Sequence, residues 1–333
     1  LLEFTLVENP VINDVQISGN TVFSEKELSQ YTKTLKNTPQ NLYAINDAIE
    51  KINSYYQAKG YTLARVSSVD DTEDGILKIG ISEGVISKIA FEGDRKTKDY
   101  VIRRNIMTTV GSVYNEEMIK KDLSRIYATQ IFDEVDQKIE PDPNNDGKYV
   151  VTIIVKEASS NSISIGGGID NALGVFGSIG VMEKNFLGRG QELGVNGMIG
   201  SGLLLSDVSI KNRMNYQIEL NFREPHFINA DNSLISKVYL RELGSYQVPL
   251  AVERRFGFNA IVHHKVRYND KLSTNFGVGY ENIHLSEGNY GEISALYNKR
   301  GLDISQRAKQ LNGGNFINFA PGVQYSSLDN EFM

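Results

Sequence analysis

Cysteine is absent from the chain of 333 residues, which excludes both a disulfide framework and a thiolate metal site. No run of about 18 consecutive apolar residues is present, so no transmembrane helix is expected. A transmembrane β-barrel is not excluded, because each of its strands gives a much weaker hydropathy signal. The net charge is −6 and there is no long basic run, which argues against a nucleic-acid partner.

The sequence does not begin with a signal peptide. Its first ten residues, LLEFTLVENP, have the character of a strand that closes a preceding domain. We therefore expect residues 1–8 to be the end of an upstream module and the natural protein to begin earlier.

Two stretches near the start of the chain repeat one another, VENPVINDVQISGN at 7–20 and SEGVISKIAFEGD at 82–94. Each has a glutamate, a short turn, an alternating apolar run and a closing glycine. The two glycines, Gly19 and Gly93, are 74 residues apart (93 − 19). A third partial copy, VKEASSNSISIGGG, begins about one period later, but the sequence after it changes character. The pattern predicts two tandem modules followed by a different domain.

The first copy predicts a small α/β module. Its run VINDVQISGN alternates like a strand with one solvated face. Ser24 followed by Glu27 is a capping-box pattern that predicts a helix at 25–35. A second helix is predicted at 41–59, with Gly60 ending it, and two strands, at 61–69 and 76–82, complete the unit. The apolar stripe of the second helix consists of Leu42, Ile45, Ile49, Ile52 and Tyr56.

The second copy has the same order of elements, with helices after Thr97 and Asn115 and strands at 130–139 and 148–156. The first of these helices carries Val101, Ile102 and Ile106. Each unit is therefore expected to be β-α-α-β-β, with a helix pair over one sheet face and an outer strand left open. Such an open edge can accept a strand from another chain.

These modules resemble polypeptide-transport-associated (POTRA) domains, the periplasmic repeats of outer-membrane assembly proteins. The resemblance is carried by VQISGN, FSEKEL and YYQAKGY in the first copy and by IAFEGDRKTKDYVIRRNI and YNEEMIKKDLSRIYATQIFDEV in the second. It covers nearly all of residues 9–157. It implies one POTRA domain at 9–83 and a last one at 84–158.

After Ala158, glycine becomes frequent and a two-residue alternation replaces the helical period. The run NYQIELNFRE at 215–224 is the clearest case, with one apolar and one polar face. A soluble β-sandwich and a transmembrane β-barrel both alternate in this way, so the periodicity alone leaves both open. In a barrel the apolar face would contact lipid. The residues predicted to lie on that face are Tyr216, Ile218, Leu220, Phe222, Val238 and Leu240.

The glycine-rich segment at 162–197 resembles the start of the barrel of the BamA family, and NFREPHF at 221–227 resembles a turn of that barrel. The resemblance favours the membrane barrel. It implies α+β POTRA repeats (β-α-α-β-β) followed by an antiparallel transmembrane β-barrel, with residues 159–333 as its N-terminal half. The predicted strands are 162–169, 174–183, 191–211, 215–224, 234–243, 253–267, 271–283 and 313–326.

The sequence shows no catalytic constellation, and no enzyme activity, cofactor or metal is expected. The glycines at 166–168 are not followed by a phosphate-loop pattern. The run DPNNDG at 142–147 begins like a calcium loop, but Ile153 occupies the position of the required glutamate, which favours a plain hairpin turn. His263 and His264 are adjacent on a strand, so they point to opposite faces and do not suit a shared metal.

The candidate functional residues are instead backbone groups of the first barrel strand. We predict that Ser162, Ile163, Ser164, Ile165, Gly166, Gly167 and Gly168 form the edge strand of a lateral seam. Three glycines weaken the order of a strand, which is consistent either with a bend that curls the sheet or with a seam that opens easily. In the BamA family this strand borders the seam at which client strands are thought to add. The strands at 61–69 and 130–139 are the corresponding candidates in the POTRA domains, and the alternative is that they only complete their own sheets.

The resemblance implies an ATP-independent insertase of the outer membrane, with its POTRA domains in the periplasm. Its expected partners are unfolded β-barrel clients, periplasmic assembly proteins and the lipid bilayer. Two alternatives stay open. One is a polypeptide-transporting pore of the same superfamily, of the two-partner secretion or TamA-like type, and the other is a soluble β-rich binding protein.

Overall fold

The computed structural model describes residues 9–326 except 73, 94, 160, 171–172, 203–214, 245–251, 270, 287–297, 300 and 302–312. The chain divides into two compact units. One consists of Leu1–Arg95 and Ile102–Lys156, and the other of Lys96–Val101 and Glu157–Met333. The N-terminal strand predicted at residues 1–8 lies outside the described residues.

The first module contains a three-stranded sheet covered by helices. Its elements are β1 (Val11–Ile12), β2 (Asp14–Ser18), α1 (Glu25–Leu28), β3 (Thr38–Pro39), α2 (Leu42–Ala58), β4 (Arg65–Asp71) and β5 (Ile76–Ser82). The sheet order is β2-β5-β4, with β2 parallel and β4 antiparallel to the central strand. The predicted order β-α-α-β-β is therefore present, and β4 forms one edge of the sheet.

The second module repeats this arrangement. Its elements are β6 (Val85–Glu92), α3 (Asp99–Arg103), α4 (Glu116–Tyr127), β7 (Phe132–Pro141) and β8 (Lys148–Glu157). The sheet order is β6-β8-β7, so β7 takes the edge position that β4 has in the first module. Helix α3 ends at Arg103, so the prediction that Ile106 belongs to this helix is wrong. Val101 and Ile102 are fully buried, as expected for the apolar side of a short helix.

The hydrophobic stripe of α2 forms most of the first module's core, but one predicted member does not. Ile45, Ile52 and Tyr56 are buried together with Ala48, while Ile49 is partly buried. Leu42 is 71% exposed. It is the first residue of the helix, directly after the N-cap Asn41, and so lies beyond the end of the packed interface. Helical spacing placed Leu42 on the correct stripe but could not show where the sheet beneath it stops.

The helix predicted at 25–35 is shorter than its pattern indicated. Ser24 and Glu27 do form a capping box, but the α-helix ends at Leu28 and continues as two 3₁₀ turns. The hydroxyl of Ser29 donates to the Lys26 carbonyl, and the hydroxyl of Thr32 donates to the Ser29 carbonyl. Such short polar side chains compete with regular helical hydrogen bonding, which gives a physical reason for the early end.

The two modules of the first unit meet where α2 ends and α4 begins. The backbone N–H of Glu116 donates to the Gly60 carbonyl at 2.9 Å, and Asn115 Nδ2 donates to the Lys59 carbonyl at 3.0 Å. Helix ends leave backbone groups without intrahelical partners, and here the donors of one helix satisfy acceptors of the other. Gly60 has φ +85°, and a Cβ at this position would lie 3.1 Å from the Asn115 side chain.

We expect Gly60→Ala to destabilise this junction more than Gly111→Ala does. Both glycines have φ values near +90°, so both substitutions introduce backbone strain of about 1 kcal/mol. Only Gly60 has a neighbour within contact distance of the added methyl group, since nothing lies within 4 Å at Gly111. Urea denaturation gives the free energy of unfolding of both variants, and an equal loss of stability would show that the contact with Asn115 contributes nothing.

A buried carboxylate organises the loop after β2. Glu83 is 4% exposed and accepts hydrogen bonds from the Thr21 and Val22 N–H groups and from the Tyr56 hydroxyl, at 2.9, 3.0 and 2.7 Å, as well as from the Thr21 hydroxyl. Desolvation raises the pKa of Glu83, but the hydrogen bonds from Thr21, Val22 and Tyr56 outweigh it, so the net pKa lies below the ordinary value. Burial raises the pKa of Tyr56, which stays protonated as the donor.

The lowered pKa of Glu83 predicts a loss of stability in acid. Its contribution is fully present above the ordinary glutamate pKa of 4.5 and is lost as the pH falls through the lower folded-state pKa. Glu83→Gln should remove this component and cost about 1–3 kcal/mol at neutral pH, because charged hydrogen bonds are lost. The measurement is the free energy of unfolding of both proteins between neutral pH and pH values below 4.5. If the free energy of unfolding changed with pH in the same way for both proteins, the ionised Glu83 carboxylate would not be the source of the acid sensitivity.

The second unit contains one antiparallel sheet of eight described strands. They are β9 (Asn161–Asp170), β10 (Gly174–Phe186), β11 (Gln191–Gly200), β12 (Asn215–Glu224), β13 (Asn232–Gly244), β14 (Val252–Lys265), β15 (Leu272–Ser286) and β16 (Gly313–Tyr325). Each strand pairs with the next along the chain, which gives the order β16 to β9. This confirms the predicted class, α+β repeats followed by an antiparallel sheet that resembles part of a barrel.

The predicted strands agree with the structure except for the third. That strand was predicted at 191–211, but β11 ends at Gly200, and residues 203–214 lie outside the described part. The hairpin turns after β10, β12 and β14 lie at the same end of the sheet, as the antiparallel order requires. Within the described residues, no helix is both long enough and apolar enough to span a membrane.

Candidate functional site

Strand β9 lies at one edge of the eight-stranded sheet and contains all seven residues predicted for the seam. It pairs with β10 from Asn161 to Asp170, and the described residues provide no strand on its other side. Ser162 through Gly167 are exposed, and Gly168 is half-buried. The edge therefore presents backbone groups with little side-chain cover, which is the arrangement that an added strand requires.

The three glycines of β9 allow a close approach to β10. A Cβ at Gly167 would lie 3.0 Å from the carbonyl oxygen of Phe176, and one at Gly168 would lie 3.1 Å from the Phe176 ring. Phe176 is directly opposite Gly168 in the register, so its ring covers the missing side chain. The glycines therefore have a packing role, and this is compatible with both interpretations of the sequence, a curled strand and a weak seam.

One face of the sheet carries an unbroken apolar row. The register aligns one residue from each strand on this face: Ile163, Val181, Val195, Leu220, Val238, Phe258, Tyr280 and Ile317. Most of these side chains are exposed, from 39% for Tyr280 to 71% for Ile163. We call this set the apolar row. The predicted residues Ile218 and Leu240 lie opposite one another on the same face, as do Phe222 and Ser236.

The other face carries paired charges. Lys237 and Glu219 form an ion pair at 2.6 Å, and the Tyr239 hydroxyl donates to Glu281 at 2.6 Å. Arg255 reaches the same Glu281 at 3.3 Å. The Glu219 and Glu281 side chains are each 17% exposed, so these carboxylates are better covered than most of the apolar row, while Lys237 is 40% exposed. This is the reverse of a soluble sandwich, in which the apolar face is the covered one.

The apolar face ends in polar side chains near one end of the strands. Tyr216 lies opposite Glu242, and its hydroxyl is 3.4 Å from the Glu242 carboxylate. Arg254 pairs with Glu242 at 2.7 Å across β13 and β14. Tyr216, which was predicted as a lipid-facing residue, therefore lies at the border of the apolar region.

The remaining sequence motifs form no chemical site in the described part of the chain. Asp142 accepts from the Asn144 N–H at 2.9 Å in the turn between β7 and β8, as in a plain hairpin. His263 and His264 lie on opposite faces of β14, and His264 contacts Asn232 at 2.8 Å. No cluster of three or more His, Asp or Glu side chains suitable for a metal occurs among the described residues.

Comparison with known protein families identifies the three segments. Residues 11–84 match the POTRA domain of ShlB type, residues 85–158 match the POTRA model described as a surface antigen variable number repeat, and residues 185–333 match the Omp85 superfamily domain. The chain therefore consists of two POTRA domains followed by an Omp85 superfamily domain, and it is similar to assembly factors of the BamA family. It is an outer-membrane protein with its POTRA domains in the periplasm, which does not fit the alternative of a soluble binding protein.

Individual relatives cover the chain to different extents. It is 21% identical to outer membrane protein assembly factor BamA of Buchnera aphidicola over 316 residues, 90% of this chain and 49% of the relative. It is 30% identical to outer envelope protein 80 of Arabidopsis thaliana over 172 residues, 47% of this chain and 23% of the relative. The chain therefore spans only about a quarter to a half of these relatives.

Solved structures share the fold. BamA from Haemophilus ducreyi lacking POTRA domains 1–3 matches with a TM-score of 0.59 and 21% identity, over 97% of this chain and 61% of that one. CdiB from Escherichia coli matches with a TM-score of 0.50 and 17% identity, over 86% and 54%. Assembly factors and transporters of this superfamily share the architecture, so the fold alone does not separate the two functions.

Proposed function

We propose that this protein is an insertase that folds β-barrel clients into the outer membrane without ATP, by templating their strands on β9. The observation that carries the proposal is the position of β9: it is the edge strand of a sheet whose apolar row runs across all eight described strands and is mostly exposed. An edge strand offers main-chain donors and acceptors that pair with any incoming strand, largely independently of its side chains.

The energy for insertion comes from the client itself. A strand in lipid must satisfy its backbone groups within protein, because each unsatisfied group costs several kcal/mol. Pairing with β9 satisfies one side of the first client strand before the client has closed its own ladder. Burial of the client's apolar face in lipid then makes the overall reaction favourable, and β9 lowers the barrier to it.

The orientation of the sheet follows from its two faces. Ile218, Leu220 and Phe222 on β12, with Val238 and Leu240 on β13, face lipid, and Tyr216 lies at the border with the polar region. Glu219 and Lys237 face the interior with the other paired charges. In this orientation the exposed residues are apolar and the covered ones are charged, as in membrane barrels.

The POTRA domains supply further strand edges. β4 and β7 occupy equivalent edge positions in the two three-stranded sheets, and each pairs with one neighbour among the described strands. We assign them as contact strands for unfolded clients or periplasmic assembly partners, because extended segments add to such edges through main-chain hydrogen bonds.

Site-specific crosslinking tests the templating role, since the chain has no cysteine to interfere. Single cysteines at Ser162 and Ser164 should form disulfides with cysteines in the terminal strand of a barrel client during its assembly. The matched control is Ser233→Cys in β13, which lies on the same face of the sheet as Ser162 and Ser164 but in a strand that has a neighbour on both sides. Crosslinks of equal yield from β9 and β13 would refute the proposal that β9 templates client strands.

A transport pore is the second candidate, and two observations favour it. The first module matches the ShlB-type POTRA model, and the CdiB fold resembles this one. A pore passes its client through the interior, so cysteines at interior positions such as Asn221 and Asn259 should crosslink to a secreted client. Crosslinks confined to those positions would favour transport, and crosslinks confined to β9 would favour insertion.

A further inference from the structure

Three turns at one end of the eight-stranded sheet each expose a large apolar side chain. These are Leu187 after β10, 62% exposed, Ile228 after β12, 85% exposed, and Tyr268 after β14, 99% exposed. We call them the apolar turn tips. Since adjacent strands are about 4.8 Å apart, tips two strands apart lie on the order of 10 Å from each other along the sheet edge.

The tips follow closely after the outward face of the sheet. Phe222 and Val262 are the last apolar residues on that face of β12 and β14, and Ile228 and Tyr268 each follow six residues later (228 − 222 and 268 − 262). In β10 a register shift after Glu183 aligns Phe186 with Gln191 on the outward face, directly before Leu187. Six extended residues span at most about 20 Å, and a turn shortens that distance. The tips therefore extend the apolar face by a short step beyond the ends of the strands.

Ile228 is held outward by a strained backbone. Its φ is +71°, and the Asn229 N–H donates to the Phe227 carbonyl at 2.9 Å, which closes a tight three-residue turn around it. Positive φ is a true outlier for a β-branched residue, and such strain costs about 1–3 kcal/mol. The turn persists because the Asn229 carboxamide oxygen accepts hydrogen bonds from the Asp231 N–H and the Asn232 side chain.

Leu187 shows the same feature in a different turn. Leu187 and Gly188 have φ values of +55° and +70°, and the Arg189 N–H donates to the Phe186 carbonyl at 3.1 Å. Turns with two positive φ values favour Asn, Asp or Gly at the first central position, where this chain has leucine. The buried side chain of Asn185 holds the turn by accepting from the Gly190 N–H at 2.8 Å.

The third turn adds positive charge around an aromatic ring. Lys265, Arg267 and Lys271 lie within three residues of Tyr268, against a single acidic residue, Asp270. Arg267 donates to Asp231 at 2.6 Å, which braces this turn against the one that carries Ile228. Aromatic rings flanked by basic residues are typical of the boundary between a membrane and water, where anionic headgroups attract the cations.

We propose that the apolar turn tips insert among the phospholipids of the periplasmic leaflet and anchor this end of the sheet at the membrane surface. The inference rests on the proposed orientation of the sheet, with the apolar row facing lipid. Lipid is favoured over a protein partner because the tips continue the outward apolar face beyond the ends of the strands. The basic residues beside Tyr268 suit anionic phospholipid headgroups.

Tryptophan fluorescence tests the anchor, because the chain contains no tryptophan. The full protein is reconstituted into phosphatidylcholine vesicles that contain phosphatidylglycerol, with or without bromine near the top of the acyl chains. Tyr268→Trp and Ile228→Trp are compared with Leu220→Trp in the apolar row and with Tyr43→Trp in the first unit, where the side chain is 89% exposed. Each variant's added emission is taken relative to the parent protein.

The expected result is that the two tip variants and Leu220→Trp lose most of their added emission in brominated vesicles, whereas Tyr43→Trp does not. If the tip variants respond like Tyr43→Trp while Leu220→Trp is quenched, the proposed lipid anchor is wrong but the proposed orientation of the sheet stands. That result would favour a protein partner at the tips. A lack of quenching at Leu220→Trp as well would overturn the orientation itself. Tyr268 is almost fully exposed, so its variant should fold even if Ile228→Trp does not.

Discussion

Leu220→Arg is expected to prevent most of the protein from reaching its folded state in lipid, whereas Asn221→Arg leaves it folded. Leu220 lies in the middle of the apolar row between Val195 and Val238. An arginine on the lipid face of a barrel costs about 2–4 kcal/mol near the bilayer midplane, which is roughly 30- to 1,000-fold in the folding equilibrium. The folded fraction is measured by heat-modifiable gel mobility and by urea titration in vesicles.

The neighbouring residue is a matched control because it differs only in the face it occupies. Asn221 pairs with Gly194 and Lys237 on the charged face, where an added arginine has water and carboxylates within reach. A soluble sheet would give another result: Leu220 is 42% exposed, so in water an arginine there would be harmless. Equal stability of Leu220→Arg and the parent protein would therefore refute the lipid-facing assignment.

Much of the architecture was accessible from sequence because it depends on local patterns. The capping box at Ser24, the glycine cap at Gly60 and the N-cap at Asn115 all mark helix ends that the structure contains. Two-residue alternation, together with the family resemblance, located the strands of the sheet, although the third was predicted too long; side chains on a strand alternate between faces. These features involve residues close together in the chain.

Features that depend on neighbours in space were missed or left open. The exposure of Leu42 reflects where the sheet beneath α2 ends, which helical spacing does not report. Alternation could not distinguish a soluble sandwich from a barrel, because the two differ only in which face is covered. The strand register aligns eight apolar residues on the more exposed face and pairs Glu219 with Lys237 on the other, which supports the lipid-facing orientation proposed above.

The candidate seam was predicted largely through family resemblance. The glycines of β9 indicated a weak or curved strand, but edge position is a property of the whole sheet and not of one segment. The apolar turn tips were not predicted at all. Nothing in the sequence around Ile228 indicates a positive φ, since isoleucine is among the residues least suited to it, and an exposed leucine or isoleucine in a turn is not unusual by itself.

A proline scan through Ser162, Ile163, Ser164 and Ile165 should separate the template function of β9 from its structural role. In an antiparallel ladder, successive residues direct their N–H groups alternately to one neighbour and to the other. Two of the four prolines should therefore weaken the pairing with β10, and the other two should remove only outward donors. We expect the outward pair to keep the folded sheet but to lower client assembly by about 100-fold, because each missing backbone hydrogen bond in lipid costs several kcal/mol.

The control for the scan is glycine at the same positions. Glycine at each of the four positions removes the side chain but retains the N–H, so a template that works through the main chain should keep its activity. The readouts are the amount of folded client in the membrane and the heat-modifiable mobility of the protein itself. Normal assembly by both outward proline variants would mean that clients do not pair with β9. Loss of assembly in the glycine variants would mean that β9 reads side chains, and its edge would then be a selective binding site instead of a general template.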